Sequence, residues 1–446
     1  MSQSRFLGLP RELRDIIYQY YVLEDGGYIF NPDSRKLEAP GNRPISMALM
    51  FTCRNVAAEM RGVALKTNTI NFFTWNSDST RTDAHLFAAR RWGQVPSVHR
   101  DFIDYAWQLL SDEPDFAREA TDSPWRPLEG PFDPARIASI DAKPWLIPTT
   151  EDIRVLYDTV WLQTALLNTC RNGSKGERVS KHRKYRYSAA AVAVKFISSI
   201  PESTRLQFRS IVLHEDREAV AFPQCHGRGL IPYCTENRKL RIERRVDLWR
   251  NAFMSEFSNA VGLIADDSEY TGVASDELDA TAVTRPLVPW ITEALALPSL
   301  GMPIGAFTLL LNGDPTALKT SEVFATVTRD AAWQAALDQW YIYRDITPTW
   351  FERREHVCYR FEGFPECVRD LVEHRPGSLV RCNFHVDDVW DADRIFNENR
   401  HLGSVEDWEE ELCRHRTTRF QTSSPLPSWL ELQREEVHRG AAGVDK

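Results

Sequence analysis

Apolar residues near the start of the chain recur at three- and four-residue steps, the spacing of one face of an α-helix. They lie in "FLGLPRELRDIIYQYYV", residues 6–22. The apolar residues of this face are Leu9, Leu13, Ile16, Ile17 and Tyr20. Pro10 suits the first turn of a helix, because its missing N–H would have no partner there in any case. The pattern predicts an amphipathic helix that ends at the Gly26-Gly27 pair.

A second helical stripe and a strand follow a loop at residues 31–44 that is rich in Pro, Gly and Asn. The segment "ISMALMFTCRNVAAEMRGVAL" predicts a helix over residues 45–65. Its apolar stripe consists of Ile45, Leu49, Cys53, Val56, Met60 and Ala64. The segment "NTINFFTW", residues 68–75, is rich in β-branched and aromatic residues and predicts a β-strand.

Helices and short buried strands alternate irregularly through the rest of the chain. Helices are predicted near residues 98–111, 150–169, 188–199, 240–264 and 329–345, and within "DATAVTRPLVPWITEALAL". Strands are predicted in "LQFRSIVLHED", in "IGAFTLLLNGD" with a closing Asn-Gly turn, and at the start of "SLVRCNFHVDDVWD". From about residue 421 the composition predicts a frayed tail with one short helix.

Strands near residues 70, 211, 309 and 382, separated by helices, indicate a mixed α/β (α+β) fold. We divide the chain into an N-terminal helical module, an α/β body and a mostly flexible tail. Their predicted bounds are 6–75, 76–420 and 421–446, with a boundary near 171–187 if the body has two subdomains. The strand spacing fits no repeat of fixed length, so a leucine-rich-repeat-like body would be a degenerate one.

The composition is that of an ordinary folded protein, with 43% hydrophobic and 26% charged residues among 446. The chain has 54 basic and 63 acidic residues, which gives a net charge of −9. This balance argues against a protein that coats nucleic acid and leaves room for local basic patches only. No run of about 18 apolar residues occurs, so no transmembrane helix and no membrane partner are predicted.

The N-terminal sequence "MSQSRFLGLPRELRD" carries charges where a secretory signal would be apolar, so no signal peptide is predicted. The eight cysteines are scattered along the chain and form no compact disulfide framework. These two features predict a cytoplasmic or nuclear protein whose cysteines are reduced thiols.

Residues 209–234, "RSIVLHEDREAVAFPQCHGRGLIPYC", hold the densest group of chemically active side chains. The candidate zinc ligands are His214, Cys225, His226 and Cys234. Two imidazoles and two thiols are the ligand types that zinc prefers, but their spacing matches no standard zinc finger. Zinc is therefore one hypothesis, and buried side chains without a metal are the simpler one.

Other candidate motifs give weaker signals. His214, beside Glu215 and Asp216, would suit an acid–base group at the end of a strand. Asp387 and Asp391 lie one helical turn apart and would suit a divalent cation, although a solvated acidic turn explains them equally. No P-loop, nucleophile elbow or C-x-x-C pair occurs, and we assign no catalytic residue.

Two stretches are rich in basic residues. The segment "KGERVSKHRKYRY", residues 175–187, mixes lysine and arginine with Tyr185 and Tyr187. This mixture suits phosphates and stacked bases or a nuclear-import signal, and a solvated loop is the simpler interpretation. The segment "RKLRIERRVDLWR", residues 238–250, has the spacing of an amphipathic surface helix.

Residues 6–22 resemble the first helix of F-box-like domains, especially those found in filamentous fungi. The matching pairs are Leu9-Pro10, Glu12-Leu13 and Ile16-Ile17. Residues 49–72 resemble the second half of the same domain, and residues 209–251 resemble a stretch of fungal F-box-like proteins of undescribed function. In the second half the matching features are Thr52-Cys53-Arg54, Glu59 and Asn68-Thr69.

The resemblance implies an interaction protein that binds a Skp-type adaptor and recruits an unidentified protein to a cullin-type ubiquitin ligase. The residues that it implies at the adaptor are Leu9, Pro10, Leu13, Ile16 and Ile17. No cofactor is expected unless zinc binds at the four candidate ligands. Two alternatives remain: an enzyme or accessory factor of a fungal metabolic pathway that uses the His214–Cys234 region, and a nuclear or nucleic-acid-associated factor that uses residues 181–187.

Overall fold

An eight-stranded, mostly parallel β-sheet is the centre of the computed structural model. The residues that the structure describes are 6–76, 143–147, 184–257, 276–349, 352–353, 356–387 and 390–437. The strands are β1 (Tyr28–Asn31), β2 (Lys36–Ala39), β3 (Arg43–Pro44), β4 (Thr69–Phe73), β5 (Ser210–Glu215), β6 (Arg241–Asp247), β7 (Leu278–Asp279), β8 (Phe307–Asn312), β9 (Val380–Cys382) and β10 (Arg419–Phe420). The sheet has the order β3-β2-β1-β4-β5-β6-β8-β9, while β7 and β10 form a separate antiparallel pair. The fold class is therefore mixed α/β, as predicted.

Six strands of this sheet pair in parallel, side by side in their order along the chain: β1, β4, β5, β6, β8 and β9. Parallel neighbours need crossover connections, and these are right-handed in nearly all proteins. Successive crossovers of one hand between strands in sequential order lie on one face of the sheet. We call the face that packs against the helices the inner face and the opposite one the outer face.

Helices surround the inner face and extend from both ends of the sheet. They are α1 (Arg11–Val22), α2 (Arg54–Glu59), α3 (Val63–Thr67), α4 (Ala189–Ser199), α5 (Glu202–Arg205), α6 (Ile231–Glu236), α7 (Thr281–Thr284), α8 (Val288–Ala296), α9 (Ala317–Tyr343), α10 (Phe364–Val372), α11 (Ala392–Asn399), α12 (Val405–Arg414) and α13 (Trp429–Glu435). Short 3₁₀ segments span Ala48–Phe51, Pro223–Leu230 and Phe253–Phe257, and a π-helical turn spans Leu248–Ala252. In the described part of the chain, no helix is long and apolar enough to cross a membrane.

Alternation along the strands separates the two faces of the sheet. In β8, Phe307, Leu309 and Leu311 are buried in the main core, whereas Thr308 and Leu310 between them are partly exposed. Successive side chains of a strand point to opposite faces, so this alternation follows directly from burying one face under helices. A second apolar cluster lies away from the sheet, where the later half of α9 packs against α11 and α12.

The predicted strands at residues 68–75, 206–216 and 304–314 are confirmed as β4, β5 and β8, and the predicted helix at 188–199 is confirmed as α4. Ser188 caps this helix, since its Oγ accepts a hydrogen bond from the Ala191 amide at 3.0 Å. The helix predicted at 329–345 is the later part of the longer α9. The predicted helices at 98–111 and 150–169 lie outside the described residues.

The predicted helix at residues 240–264 is wrong in its first part, because Arg241–Asp247 forms the central strand β6. Residues 248–257 form a π-helical and a 3₁₀ turn, and residues 258–264 lie outside the described residues. Ile242 and Val246 are four residues apart, a separation that fits a helix face and also one face of a strand. Arg244 between them is buried as well, which only the two-residue period explains. Arginines are mostly exposed in proteins, so the pattern around Arg244 favoured an amphipathic helix over a buried strand.

The predicted helix at residues 45–65 is also wrong as one element, because the chain forms a 3₁₀ turn followed by α2 and α3. The break between α2 and α3 is at Gly62, whose φ of 75° is a left-handed conformation that favours glycine. A Cβ on Gly62 would also lie 2.8 Å from the side chain of Gln207. The apolar stripe was correct, but its residues lie on separate short helices.

Two predicted domain bounds do not separate packed units. The bound at residue 75 falls inside the sheet, because β4 on one side pairs along its whole length with β5 on the other. Residues 421–437 are packed rather than frayed, since Trp429 in α13 is fully buried and its ring centroid lies 5.5 Å from that of Trp249. Burial of Trp429 and Leu432 in the main core holds this short helix on the body.

Candidate functional site

Helix α1 is attached to its neighbours by one side only. Tyr18 and Val22 are buried, and they pack with Val56 and Met60 in a small cluster of their own. These residues are four apart on α1, so they form a stripe about one residue wide. The Tyr21 hydroxyl beside this stripe also contacts Ser46 and the Leu49 amide, and the side of the helix opposite the stripe is exposed.

Glu59 fixes the rotation of α1 about its own axis. Its carboxylate accepts hydrogen bonds from Arg14 at 2.6 Å and from the Tyr18 hydroxyl at 2.7 Å, and Arg11 lies 3.1 Å away. The hydrogen bonds from Arg14 and Tyr18 lower the pKa of Glu59 to about 2, so the carboxylate is ionised at neutral pH. Arg14 also donates to the carbonyl of Leu9, which anchors the turn before the helix.

The opposite side of α1 carries large apolar side chains that are exposed. Leu13, Ile16 and Ile17 are 47%, 48% and 39% exposed, and Tyr20 on the same side is 75% exposed. Phe51, in the 3₁₀ turn that follows, is 82% exposed. We call Leu13, Ile16, Ile17 and Tyr20 the outer α1 face. Of the residues implied by the resemblance, Pro10 is also exposed and only Leu9 is partly buried.

The sequence identified this apolar stripe but not the side of the helix that is buried. Tyr18 and Val22 were missed, although their four-residue separation was the available signal. Tyr18 and Val22 are the buried residues because the Tyr18 ring packs in the cluster while its hydroxyl donates a hydrogen bond to Glu59. The wider and more apolar stripe consequently lies outside.

The four candidate zinc ligands do not converge. His214 is on the outer face of the sheet, whereas Cys225 and His226 lie in the 3₁₀ segment beside α4 and Cys234 lies in α6. Both ring nitrogens of His226 are engaged, Nε2 with the Ala221 carbonyl at 2.7 Å and Nδ1 with Ser188 Oγ at 2.6 Å. Among the described residues, no group of three or more potential ligands could hold a metal ion.

Burial also makes the two thiols of this region unreactive. It raises the pKa of both Cys225 and Cys234 to about 12, since a thiolate would lose its hydration in these positions. Burial and the nearby Arg244 charge lower the pKa of His226 to about 3, so this ring is neutral. Cys225, His226 and Cys234 therefore have a structural role. The neutral His226 ring uses one nitrogen as a hydrogen-bond donor and the other as an acceptor.

Alkylation should distinguish these thiols in the folded protein. At pH 8 we expect iodoacetamide to modify the exposed Cys53 and Cys413 at least ~100-fold faster than Cys225 and Cys234, whose thiolate fraction is ~10⁻⁴. Mass spectrometry of peptides from a time course measures the four rates. Modification of Cys225 at the rate of Cys53 in native protein would contradict the described packing, and denaturant should equalise all four.

The remaining candidate motifs have structural roles in the described residues. Asp391 caps α11 by accepting a hydrogen bond from the Arg394 amide at 3.0 Å, and Asp387 lies 3.6 Å from His385 on the surface. In the basic stretch 175–187, only residues 184–187 are described. There Arg186 is buried and pairs with Glu436, just after α13.

A buried ion pair that the sequence did not reveal joins β5 to β6. Glu215 is completely buried and accepts two hydrogen bonds from Arg244, at 2.9 and 2.6 Å. It also accepts the amides of Ala189 and Ala190, the first residues of α4. The carboxylate therefore neutralises the arginine and caps the positive end of a helix at the same time.

Comparison with protein-family models, with curated proteins and with solved structures finds no match to this chain. Functional inference consequently depends on the chemistry of the described residues. Among the described residues, the outer α1 face and the outer face of the sheet both carry accessible apolar or aromatic side chains on a regular element.

Proposed function

We propose that this protein is an F-box-like interaction protein of the cytoplasm or nucleus, which binds a Skp-type adaptor through the outer α1 face. The observation that carries the proposal is the exposure of Leu13, Ile16, Ile17 and Tyr20 along one side of a single helix. Apolar residues at these three- and four-residue steps are what an adaptor groove receives from a docked helix. Contiguous apolar patches on a protein surface commonly mark such interfaces.

The attachment of α1 favours docking over burial against the chain's own body. The hydrogen bonds of Glu59 to Arg14 and Tyr18 hold the polar side of the helix inward. Rotating α1 about its axis to bury Leu13 and Ile17 would break both hydrogen bonds to the Glu59 carboxylate. A helix fixed in this way presents its apolar side without an ordering cost upon binding, which increases affinity.

The body supports a role in presenting a second protein. Its parallel strands follow one another in sequential order with helices on one face, which is also the arrangement of leucine-rich repeats. Successive crossover segments in the chain differ in length, so such a repeat would be degenerate. In this proposal the N-terminal helices bind the adaptor and the sheet binds the protein that is recruited to the ligase.

The test is co-purification of the full-length chain with a recombinant Skp-type adaptor. Leu13→Asp combined with Ile17→Asp should reduce the recovered adaptor at least ~10-fold, because two charges would enter an apolar contact. Both side chains are exposed, so the melting temperature should change by no more than a few degrees.

Ile304→Asp combined with Leu318→Asp is the matched control, since these apolar side chains are 98% and 88% exposed away from α1. The control should bind the adaptor as the unaltered chain does. Unaltered chain that folds but recovers no adaptor would exclude the proposed function. Equal loss in both double variants would show that the contact is not specific to the outer α1 face.

A further inference from the structure

The outer face of the sheet is incompletely covered, which is unusual for parallel strands. Parallel sheets generally bury both faces, and their strands then consist of continuous apolar residues. Here Phe73 of β4 is 39% exposed, and the side chains of Glu243 and Arg245 in β6 are 38% and 43% exposed. Arg381 of β9 is exposed as well. Charged residues in central strands are expected where they are paired in the interior, as Glu215 and Arg244 are, or where solvent or a partner reaches them.

Strand register aligns several of these residues in one row across the sheet. The paired positions run from Phe73 to His214, from His214 to Arg245, from Arg245 to Leu310 and from Leu310 to Arg381. Paired residues of neighbouring strands point to the same face, about 4.8 Å apart from strand to strand. We call these five residues the outer row. The outer row is about 19 Å long, from four steps of about 4.8 Å, a length that an extended peptide of about six residues spans.

One end of the outer row is flat, aromatic and neutral. The rings of Phe73 and His214 stack with centroids 4.3 Å apart and planes within 5°. Burial and the charge of Arg245 lower the pKa of His214 to about 4, so its ring is uncharged at neutral pH. Asn71 donates its amide hydrogens to the carbonyls of Gly26 and Tyr28, so its side-chain oxygen must accept from His214 Nε2 at 3.0 Å. His214 Nδ1 is consequently an acceptor.

The other end of the outer row is cationic. Arg245 and Arg381 belong to the row, and Arg241 lies on the same face of β6. Glu243 and Asp247 are the acidic residues that β5, β6, β8 and β9 place on this face. Glu243 pairs with Arg245 at 2.6 Å, and Asp247 accepts a hydrogen bond from the Arg250 amide at 2.8 Å. Three arginines and two carboxylates give a formal charge of +1, on a chain whose net charge is −9. The face therefore differs in sign from the molecule as a whole and attracts acidic partners.

We propose that the outer row binds an extended acidic segment of another protein, with an apolar or aromatic side chain on the Phe73–His214 pair and carboxylates at Arg245 and Arg381. This inference rests on the proposed function, because the bound segment would belong to the recruited protein. Planar guanidinium groups bind carboxylates in a two-point geometry that single charges do not provide. A nucleic acid fits less well, since the row has only two arginines and the chain as a whole has a net charge of −9.

The experiment probes the full-length chain with an array of acidic 12-residue peptides, each paired with a version in which glutamine replaces glutamate. We expect binding to peptides that combine glutamate with one aromatic or leucine residue, and at least a ~10-fold loss for the glutamine versions. Arg245→Gln combined with Arg381→Gln should reduce binding of the same peptides at least ~10-fold. Arg394→Gln combined with Arg414→Gln removes two exposed charges elsewhere and should have no effect.

Glu243→Gln separates binding from folding, because it removes the competing carboxylate and should strengthen peptide binding about 3-fold. A purely structural role for the Glu243–Arg245 pair predicts weaker binding in this variant. Binding that ignores peptide charge, or that follows a single-stranded oligonucleotide instead, would overturn the proposal.

Two variants distinguish this inference from adaptor binding. The Leu13→Asp, Ile17→Asp chain should still bind the peptides, and the Arg245→Gln, Arg381→Gln chain should still recover the adaptor. If adaptor binding fails and peptide binding persists, the outer row is a binding site in a protein of another class. If peptide binding fails while the adaptor is recovered, the outer-row proposal alone is wrong.

Discussion

Glu215→Ala is expected to lower the free energy of unfolding by about 3–5 kcal/mol, the range found when one partner of a buried ion pair is removed. Arg244 would keep its charge in a position where it is only 1% exposed. Its remaining contacts are the carbonyls of Pro223 and Gln224 and the ring of Trp290, whose centroid is 4.7 Å from the guanidinium. None of them carries a full negative charge.

The amides at the start of α4 would lose their acceptor in the same variant. Ala189 and Ala190 donate to Glu215, and both are fully buried, so water could replace the carboxylate only by entering the core. The cleft beside Arg244, which Trp290 and Leu309 also line, has no space for a water molecule. Urea unfolding followed by tryptophan fluorescence measures the change, with Trp249 and Trp290 in the core as reporters.

Glu243→Ala is the matched control, because Glu243 also pairs with an arginine of β6, at 2.6 Å, but on the exposed face. An exposed ion pair contributes about 0–1 kcal/mol, so this variant should stay within about 1 kcal/mol of the unaltered chain. Equal losses for the two variants would contradict the assignment of Glu215 and Glu243 to opposite faces of the sheet.

Asp330→Asn should destabilise the protein by a similar amount, about 3–5 kcal/mol, because one carboxylate serves three arginines. Asp330 in α9 is 1% exposed and contacts Arg329 at 3.1 Å, Arg360 at 2.9 Å and Arg416 at 2.9 Å. These arginines come from α9, from the segment before α10 and from the residues after α12, so the carboxylate joins three parts of the second cluster. Asparagine has nearly the same shape, but it removes the charge and replaces one acceptor oxygen with an NH2 donor that would face the arginines.

The same residue gives a pH dependence with a defined sign. Burial alone would raise the pKa of Asp330, but the charges of Arg360, Arg416 and Arg329 outweigh it and lower the pKa below its usual value. A lowered folded-state pKa contributes stability that is present above the unfolded value, near pH 4, and is lost as the pH falls through the folded value. Unfolding curves between pH 7 and pH 3 should therefore show a loss that the Asp330→Asn chain lacks.

Glu398→Gln serves as the control for this pH experiment. Glu398 forms an exposed ion pair with Arg394 at 2.8 Å on α11, so its removal should change neither the stability at pH 7 nor the acid profile by a measurable amount. An acid profile of Asp330→Asn that matches the unaltered chain would show that other carboxylates determine acid unfolding.

The Glu215–Arg244 ion pair is also connected to the proposed peptide-binding surface. Glu215 and Arg244 lie on the inner face, and their sequence neighbours His214 and Arg245 lie in the outer row. Because neighbouring residues of a strand point to opposite faces, the ion pair that locks β5 to β6 also fixes the spacing of the outer row. The buried Glu215–Arg244 pair therefore helps to position His214 and Arg245 on the opposite face.

Local patterns in the sequence were sufficient for elements whose burial follows from apolar residues alone. β4, β5 and β8 combine β-branched or aromatic residues with flanking turns, and α4 combines an alanine-rich segment with a serine cap. Most of the buried side chains in these elements are apolar, with Asn71 in β4 and Glu215 in β5 as the polar exceptions, so the apolar composition is enough to identify the elements. The mixed α/β class followed from these elements.

The sequence failed where buried residues are charged or where burial comes from distant contacts. Arg244 in β6 is buried because Glu215, 29 residues earlier, neutralises it, and no local pattern contains that information. Trp429 is buried because Trp249 lies against it, so a polar terminal stretch became a packed helix. The candidate zinc ligands were close in sequence, but the sheet separates His214 from Cys225, His226 and Cys234.

By itself, the sequence determined that α1 has one broad apolar side, because helical periodicity depends only on the spacing of residues. The tertiary structure decided which side of that helix is exposed. Glu59, 45 residues after Arg14, binds the polar side through Arg14 and Tyr18 and so turns Leu13, Ile16 and Ile17 outward. A hydrogen bond between distant residues can fix a rotation that spacing alone leaves free.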